Sequence, residues 1–493
     1  MRHKRLSSSN TDPAAHKKTG SGDTKPAVLK NTPAGMKGET ASGHIAGKKS
    51  DRIPKKLKIL KFGGTSVGSP ERIRTVARLI RDDAPKIVVL SAMSGTTDKL
   101  SRIASLIARD ERTKAADSIS LLEFRYVEVV NALYNDEPRK KEALDAVIGI
   151  FRTLWDALKT SGSAAAEKRI LAQGELLSTL LMHLYLQQEG VPSMLLPALE
   201  FMRTNKNGEP DMRFIRRNLK KRLEACPGVR LFITQGYICR NDAGEIDNLR
   251  RGGSDYSASL IGAAAGAEEI QIWTDIDGLH NNDPRIVRHT RPVRRLNFEE
   301  ASKLAHFGAK ILHPTCIHPA REKHIPVRLL NTLQPDAPGT LICDEAEKGR
   351  IKAVAAKDDM TYIKIKSSRT LPAYRFFNRV FGAFARHRVP VDMVATSETG
   401  ISVSLDNKEQ LEEIVTELRK FATVTVEENM IVVCVVGDLE WHNIGFEAKI
   451  IGALRDIPVR MISYGGSNSN VSLVIRSDDK KRALEALNTR VFA

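Results

Sequence analysis

Residues 57–68 read Leu-Lys-Ile-Leu-Lys-Phe-Gly-Gly-Thr-Ser-Val-Gly, and no other stretch constrains the fold as strongly. Leu57, Ile59 and Leu60 interleave with lysines as in a strand, a glycine pair follows at 63–64, and a helical pattern starts near Pro70 and Glu71. Strand, glycine loop and helix in that order offer backbone N–H groups and a positive helix end to a phosphate. Lys61 precedes the glycines, whereas a Walker A loop carries its lysine after them, and the G-x-G-x-x-G spacing of dinucleotide folds is not met either. Taken alone, the glycines are also compatible with a tight turn that needs positive φ, the lesser of the two readings.

The pattern that follows alternates strand and helix up to about Cys343. Residues 86–91 and 229–234 read as buried strands, 167–188 as a helix with a leucine-rich face ended by Gly190, 254–266 as a small-residue helix and 269–273 as a strand. Such alternation predicts an α/β sandwich with a mostly parallel sheet, whose ligands lie beyond the C-terminal strand ends. The loops after Leu60, Leu90 and Trp273 are therefore the expected site. Beyond Gly349 the character changes. Residues 389–394 (Val-Pro-Val-Asp-Met-Val) return 68 positions later as Ile-Pro-Val-Arg-Met-Ile at 457–462. Each copy is expected as a strand between helices, so that the tail reads as β-α-β-β-α-β written twice, the ferredoxin-like pattern.

Charge and cysteines limit the alternatives. Residues 1–56 carry 13 Lys/Arg against 4 Asp/Glu, half of the formal +18, and almost no large apolar side chains. They are expected to stay disordered. The remaining charge is spread over the body without interleaved aromatics, so neither a dedicated nucleic-acid partner nor a membrane partner is expected. The five cysteines are scattered, without a C-x-x-C pair, which excludes a disulfide framework and fits a reducing compartment. The cytoplasm is the expected location, with an organelle stroma as the alternative if residues 1–56 are a transit peptide. His306, His313 and His318 form no ligand set, and no metal-binding residues are assigned.

Five stretches carry a family resemblance: 61–73 (KFGGTSVGSPERI), 173–178 (QGELLS), 251–258 (RGGSDYSA), 273–287 (WTDIDGLHNNDPRIV) and 307–314 (FGAKILHP). With the duplicated tail, the chain from about Leu57 onward resembles the aspartate kinases of the amino acid kinase family. The resemblance implies an amino-acid-kinase three-layer sandwich with a mostly parallel sheet over 57–345, then two ferredoxin-like ACT domains over 351–425 and 426–493. Strand 351–356 is a candidate to complete the second of these. It also implies transfer of the ATP γ-phosphoryl group to the β-carboxylate of L-aspartate, with Mg²⁺. This is the entry to lysine, threonine and methionine synthesis. Feedback by lysine, threonine or both, and a homodimer or homotetramer paired through the ACT domains, are further implications. A non-catalytic amino-acid sensor on the same fold and a kinase for another small acid are the alternatives.

Carried over residue by residue, the resemblance gives Lys61 the phosphates and Asp255 the orientation of that lysine. Ser91, Thr97 and Ser254 become hydroxyl contacts to aspartate, Glu175 the partner of its ammonium and Arg251 the fork onto its α-carboxylate. Gly63, Gly64 and Thr65 cradle phosphate, and Thr274, Asp275, His280, Arg285 and Lys310 serve the nucleotide. The effector site runs along Phe376, Phe377, Val391, Asp392, Thr396, Ser397 and Glu398. Two positions depart from the family pattern: Arg250 replaces the first glycine of its usual G-R-G-G-S-D, and His280 replaces a frequent tyrosine. The nucleophile implied is a carboxylate already ionised at neutral pH, so positioning and charge neutralisation are the chemistry required.

Overall fold

The computed structural model describes residues 56–160, 162–249, 252–309, 313–345, 347–367, 372–406 and 408–492. The expected disorder of the N-terminal tail, Arg250, and the site assignments to Arg251 and Lys310 lie outside these residues. Strands in chain order are β1 (Lys58–Phe62), β2 (Lys86–Leu90), β3 (Met194–Leu195), β4 (Leu231–Gln235), β5 (Ile238–Arg240), β6 (Ile246–Asn248), β7 (Glu269–Thr274), β8 (Arg295–Asn297), β9 (Val327–Asn331) and β10 (Thr340–Cys343). The tail supplies β11 (Ile351–Ser367), β12 (Met393–Ser397), β13 (Gly400–Leu405), β14 (Ala422–Gly437), β15 (Met461–Ser463) and β16 (Asn470–Arg476).

Eight strands form the first sheet, in the order β3-β4-β2-β1-β7-β9-β10-β8, parallel throughout except for β9 against β10. Side chains alternate between two cores, as a strand buried on both faces requires. Ile59, Ile87 and Val89 face a core shared with helices Met212–Glu224, Gly253–Ala265 and Pro314–Glu322. Leu60, Phe62, Val88 and Leu90 face the other core, with helices Pro70–Leu79, Thr96–Ala108, Arg112–Leu133, Glu137–Ala157 and most of Ala164–Gln188. The result is the expected three-layer sandwich. The ends of β1, β2, β4 and β7 are in register, Phe62 beside Leu90 and Trp273, and Leu90 beside Gln235, so their loops emerge along one edge.

The second sheet has six strands in the order β12-β13-β11-β14-β16-β15, all antiparallel. Helices Ala373–Arg386 and Leu411–Arg419 cover one half over Ile363, Val380, Ile401 and Leu418. Helices Phe446–Ala453 and Lys480–Val491 cover the other half over Ile431, Ile450, Leu473 and Leu487. The two long strands β11 and β14 run through both halves. Their register slips near Lys357–Met360, where Asp359 (φ 58°) and Asn429 (φ 57°) adopt the left-handed conformation that Asp and Asn tolerate best. Residues 351–357 pair with the second half of β14, which in turn pairs with β16.

The two hexapeptides are strands only at their ends. Val389–Asp392 and Ile457–Arg460 are irregular, and pairing starts at Met393 and Met461. Pro390 and Pro458 have no N–H to give a ladder, which delays each strand. The uncovered face of the second sheet, including Ala353, Ala355, Met430, Val432 and Cys434, shares its core with Leu304 and Phe307 of the first half. All five cysteines are free. Among the described residues no helix is long and apolar enough to cross a membrane.

Candidate active site

At the C-terminal end of β1, Lys61 Nζ lies 2.5 Å from Asp255 Oδ1, both side chains mostly buried. Asp255 sits in the first turn of helix Gly253–Ala265, which begins through Gly252 (φ 90°) and Gly253 (φ 39°). The glycine loop is folded against the neighbouring strand end. Gly63 N–H donates to Trp273 O (3.3 Å), Ser94 N–H to Gly64 O (3.1 Å) and Ser91 N–H to Phe62 O (3.2 Å). A Cβ on Gly64 would stand 2.7 Å from Ala92 O, so only glycine permits this approach, and one on Gly63 would fall 3.6 Å from the Lys61 ammonium. The cradle therefore opens beside that ammonium.

Glu175 enters from helix Ala164–Gln188. Its neighbour Gly174 lets the helix close on the β2 loop, for a Cβ there would meet Ala92 Cβ at 2.8 Å. Glu175 Oε1 then accepts the Ala92 N–H (3.1 Å), while Oε2 is buried with no partner among the described residues. Burial lifts the Glu175 carboxyl to about 7, against the lowering effect of the Ala92 N–H. A buried carboxylate oxygen without a partner suits a ligand cation.

Two residues missed by sequence reading join this end. Gly236 follows β4 and packs on Ser254, whose Cβ would be 2.4 Å from a Cβ on the glycine. Tyr237 (φ 62°) lies against Gly253, and its hydroxyl is pushed up to about 12, first by burial and then by the Glu175 charge. Their position just after a parallel strand was the available signal. Ser91 follows β2, Ser254 lies in the first turn of helix Gly253–Ala265 beside Gly236, and Thr97 is exposed in the first turn of helix Thr96–Ala108. Thr65 is exposed in the loop.

A cavity of about 400 Å³ opens beyond β7, with Thr274, Asp275, His280 and Arg285 in its lining. Phe62 stacks on Trp273 (centroids 5.6 Å apart), joining this cavity's strand to the Lys61 loop. His280 Nδ1 pairs with Thr290 Oγ1 (2.8 Å), and burial lowers its pKa below the usual histidine value. Arg285 forks onto Asp283, Nε to Oδ1 at 2.9 Å and an Nη to Oδ2 at 2.7 Å.

The effector candidates divide. Phe376 is fully buried against Phe421, whereas Phe377 and Val391 are half-buried and Thr396, Ser397 and Glu398 are exposed. Asp392 Oδ1 is already engaged within this chain, by His306 Nε2 at 3.0 Å and Lys357 Nζ at 3.1 Å, while its Oδ2 has no partner among the described residues. Its carboxyl is held below the usual carboxylate range: burial opposes this, and the hydrogen bonds and charges of His306 and Lys357 outweigh burial.

Residues 56–331 match the model of the amino acid kinase family, and residues 433–491 that of an ACT domain. The lysine-sensitive aspartokinase 3 of Escherichia coli is 31% identical over 447 residues, covering 88% of this chain and 99% of the relative. The chain belongs to the aspartokinase family. The chloroplastic aspartokinase 3 of Arabidopsis thaliana is 32% identical, over 90% of this chain and 83% of its own. The crystal structure of E. coli aspartokinase III with aspartate and ADP, in its R-state, superposes with a TM-score of 0.76 at 31% identity, over 89% of this chain and all of that one. As in an aspartokinase, a parallel kinase sheet precedes an antiparallel ACT-type sheet, and the chain is a kinase regulated through that second part.

Proposed function

We propose that the chain transfers the γ-phosphoryl group of ATP to the β-carboxylate of L-aspartate, giving 4-phospho-L-aspartate and ADP. The observation that carries this is the Lys61–Asp255 pair beside the glycine loop, with Ala92 linking Gly64 to Glu175, whose second oxygen has no partner among the described residues. In this reading Lys61 and the glycine-loop N–H groups other than those of Gly63 and Ser66, which Trp273 O and Gly63 O accept, hold the phosphates, and Asp255 fixes the lysine. Glu175 takes the aspartate ammonium, and Ser91, Thr97 and Ser254 contact its carboxylates together with Arg251. A β-carboxylate oxygen attacks the γ-phosphorus as the bond to the β-phosphate oxygen breaks. Charge leaves on ADP, and no side chain needs to take a proton. Lys61 neutralises charge that builds on the transferring oxygens. The cavity beyond β7 takes the rest of the nucleotide, with Thr274, Asp275 and His280 near the nucleoside and Arg285 toward the phosphates.

Mg²⁺ belongs to the same proposal: with no group of His, Cys, Asp or Glu among the described residues set to hold a metal ion, it would be carried by the nucleotide's phosphates and would supply charge neutralisation alongside Lys61. We read residues 360–425 as one ACT unit and 351–357 with 430–493 as the other. The second sheet with its helices is the pairing surface for a dimer, and the unpartnered oxygen of Asp392 is the seat of an amino-acid effector's ammonium, lysine or threonine. ATP-dependent acyl phosphate formation, trapped as the hydroxamate, tests the reading. It requires turnover with L-aspartate well above that with L-glutamate. No turnover with aspartate, alongside amino-acid binding seen as a melting shift, would leave a sensor instead.

A further inference from the structure

The wall of the nucleotide cavity opposite β7 belongs to the regulatory sheet. Val354, Ala355 and Ala356 of β11 line it, with Lys480 and Leu484 of the C-terminal helix. The 280–285 loop is bonded to this wall at three points. Val354 N–H donates to Asn281 O (2.8 Å), Asn282 Nδ2 to Leu484 O (2.9 Å) and Asn281 Nδ2 to Asn488 Oδ1 (3.2 Å). At the rim two cations are each held by a carboxylate. Arg285 is forked onto Asp283, and Lys480 Nζ stands 2.7 Å from both oxygens of Asp358. The four charges share one field. Asp283 is held low by the Arg285 hydrogen bond first and also by the Lys480 charge, and Arg285 is raised by Asp283 first and also by Asp358.

We propose that Lys480, carried by the regulatory half, contacts the ATP polyphosphate, making that half a direct part of the nucleotide site. This rests on reading the cavity beyond β7 as the nucleotide end. A polyphosphate carries more charge than either carboxylate and competes for both cations. Arg285 is two-thirds exposed and free to turn, and a lysine swings on a flexible four-carbon stem. Binding then draws Lys480 from Asp358 on β11, so ATP and an effector of the second sheet are linked in both directions.

The test is steady-state kinetics and ATP titration on the full chain with Lys480→Met, Lys480→Arg, Asp358→Asn and Asp275→Ala. Lys480→Met is expected to weaken ATP about tenfold, the scale of one charged hydrogen bond, with the aspartate KM unchanged. Lys480→Arg recovers most of the loss. Asp358→Asn, which frees the lysine, does not weaken ATP. Unchanged ATP affinity in Lys480→Met, or the same loss in Asp358→Asn, would reduce Lys480 to a tie for β11 and overturn the inference. If Asp275→Ala weakens ATP and Lys480→Met does not, this inference alone fails. If Asp275→Ala also leaves ATP binding intact, the nucleotide reading fails with it.

Discussion

The two ends of the cleft are built by different means. Around Lys61, Asp255, Gly64 and Glu175 the contacts described above come from the eight-stranded sheet and its helices. The cavity beyond β7 is instead walled by both sheets. Helix Phe298–His306 is clamped between them. Glu300, which closes the helix's capping box with Asn297, pairs with the buried Lys352 at 2.8 Å, and Glu299 accepts from Ser467 and Ser469. His306 holds Asp392, and two residues later Gly308 (φ 110°) abuts Ala356. A shift of the second sheet thus reaches the cavity beyond β7 through that cavity's own wall, and the Lys61 end only through the first sheet. The difference teaches where regulation is to be sought: in ATP affinity before aspartate affinity.

Substitutions at either end sharpen or break that contrast. The largest effect is expected at Lys61→Ala, which removes the cation facing the transferred group. Its kcat should fall about 10²–10³-fold with the fold intact by circular dichroism, and a fall of less than fivefold would exclude Lys61 from the chemistry. At the sheet junction, Lys352→Met strands the Glu300 charge in the core. Denaturant titration should show a loss of about 3–5 kcal/mol, largely restored by adding Glu300→Gln. An unchanged midpoint would mean that the junction carries no strain from the lost partner.

Glu175 gives the contrast a pH signature. Its carboxyl titrates near 7 in the folded chain, well above its exposed value of 4.5. Between those values the folded protein keeps a proton that the unfolded chain has released, so this group's contribution to stability falls as pH rises through the window. The full change is up to about 3 kcal/mol. Thermal melts of Glu175→Gln should lack that slope and lie above the parent beyond pH 7. In the parent, aspartate binding should tighten as pH rises through about 7, which the glutamine variant abolishes. A smaller effect belongs to Gly308→Ala. Its Cβ would stand 2.2 Å from Ala356 O, and a loss of about 1–3 kcal/mol with a raised ATP KM is the expected reading from melts and initial rates.

The grouping of residues at the Lys61 end was largely legible in the sequence because its parts are local. Lys61 with the glycine pair, and Gly174 beside Glu175, are contiguous in the chain, and strand polarity alone brings their loops together. The sheets' junction was not. Lys352, Asn282 and Lys480 look like ordinary surface-type residues in sequence, and their partners lie 52, 202 and 122 positions away. The internal repeat was visible, but the sharing of β11 and β14 between its halves depends on strand partners that no local pattern encodes. Asp392 read as an open anchor for an effector. Lys357 and His306 reach it only once β11 and helix Phe298–His306 are in place.

The most direct measurement is a pair of initial-rate surfaces, ATP against aspartate, for Glu175→Gln and Asn282→Ala. Asn282 touches the C-terminal helix through Leu484 O and lies at the nucleotide cavity. Glu175→Gln should raise the aspartate KM about tenfold and leave the ATP KM in place, while Asn282→Ala should raise the ATP KM alone. Both variants moving both constants together would contradict a cleft whose two ends are built, and regulated, separately.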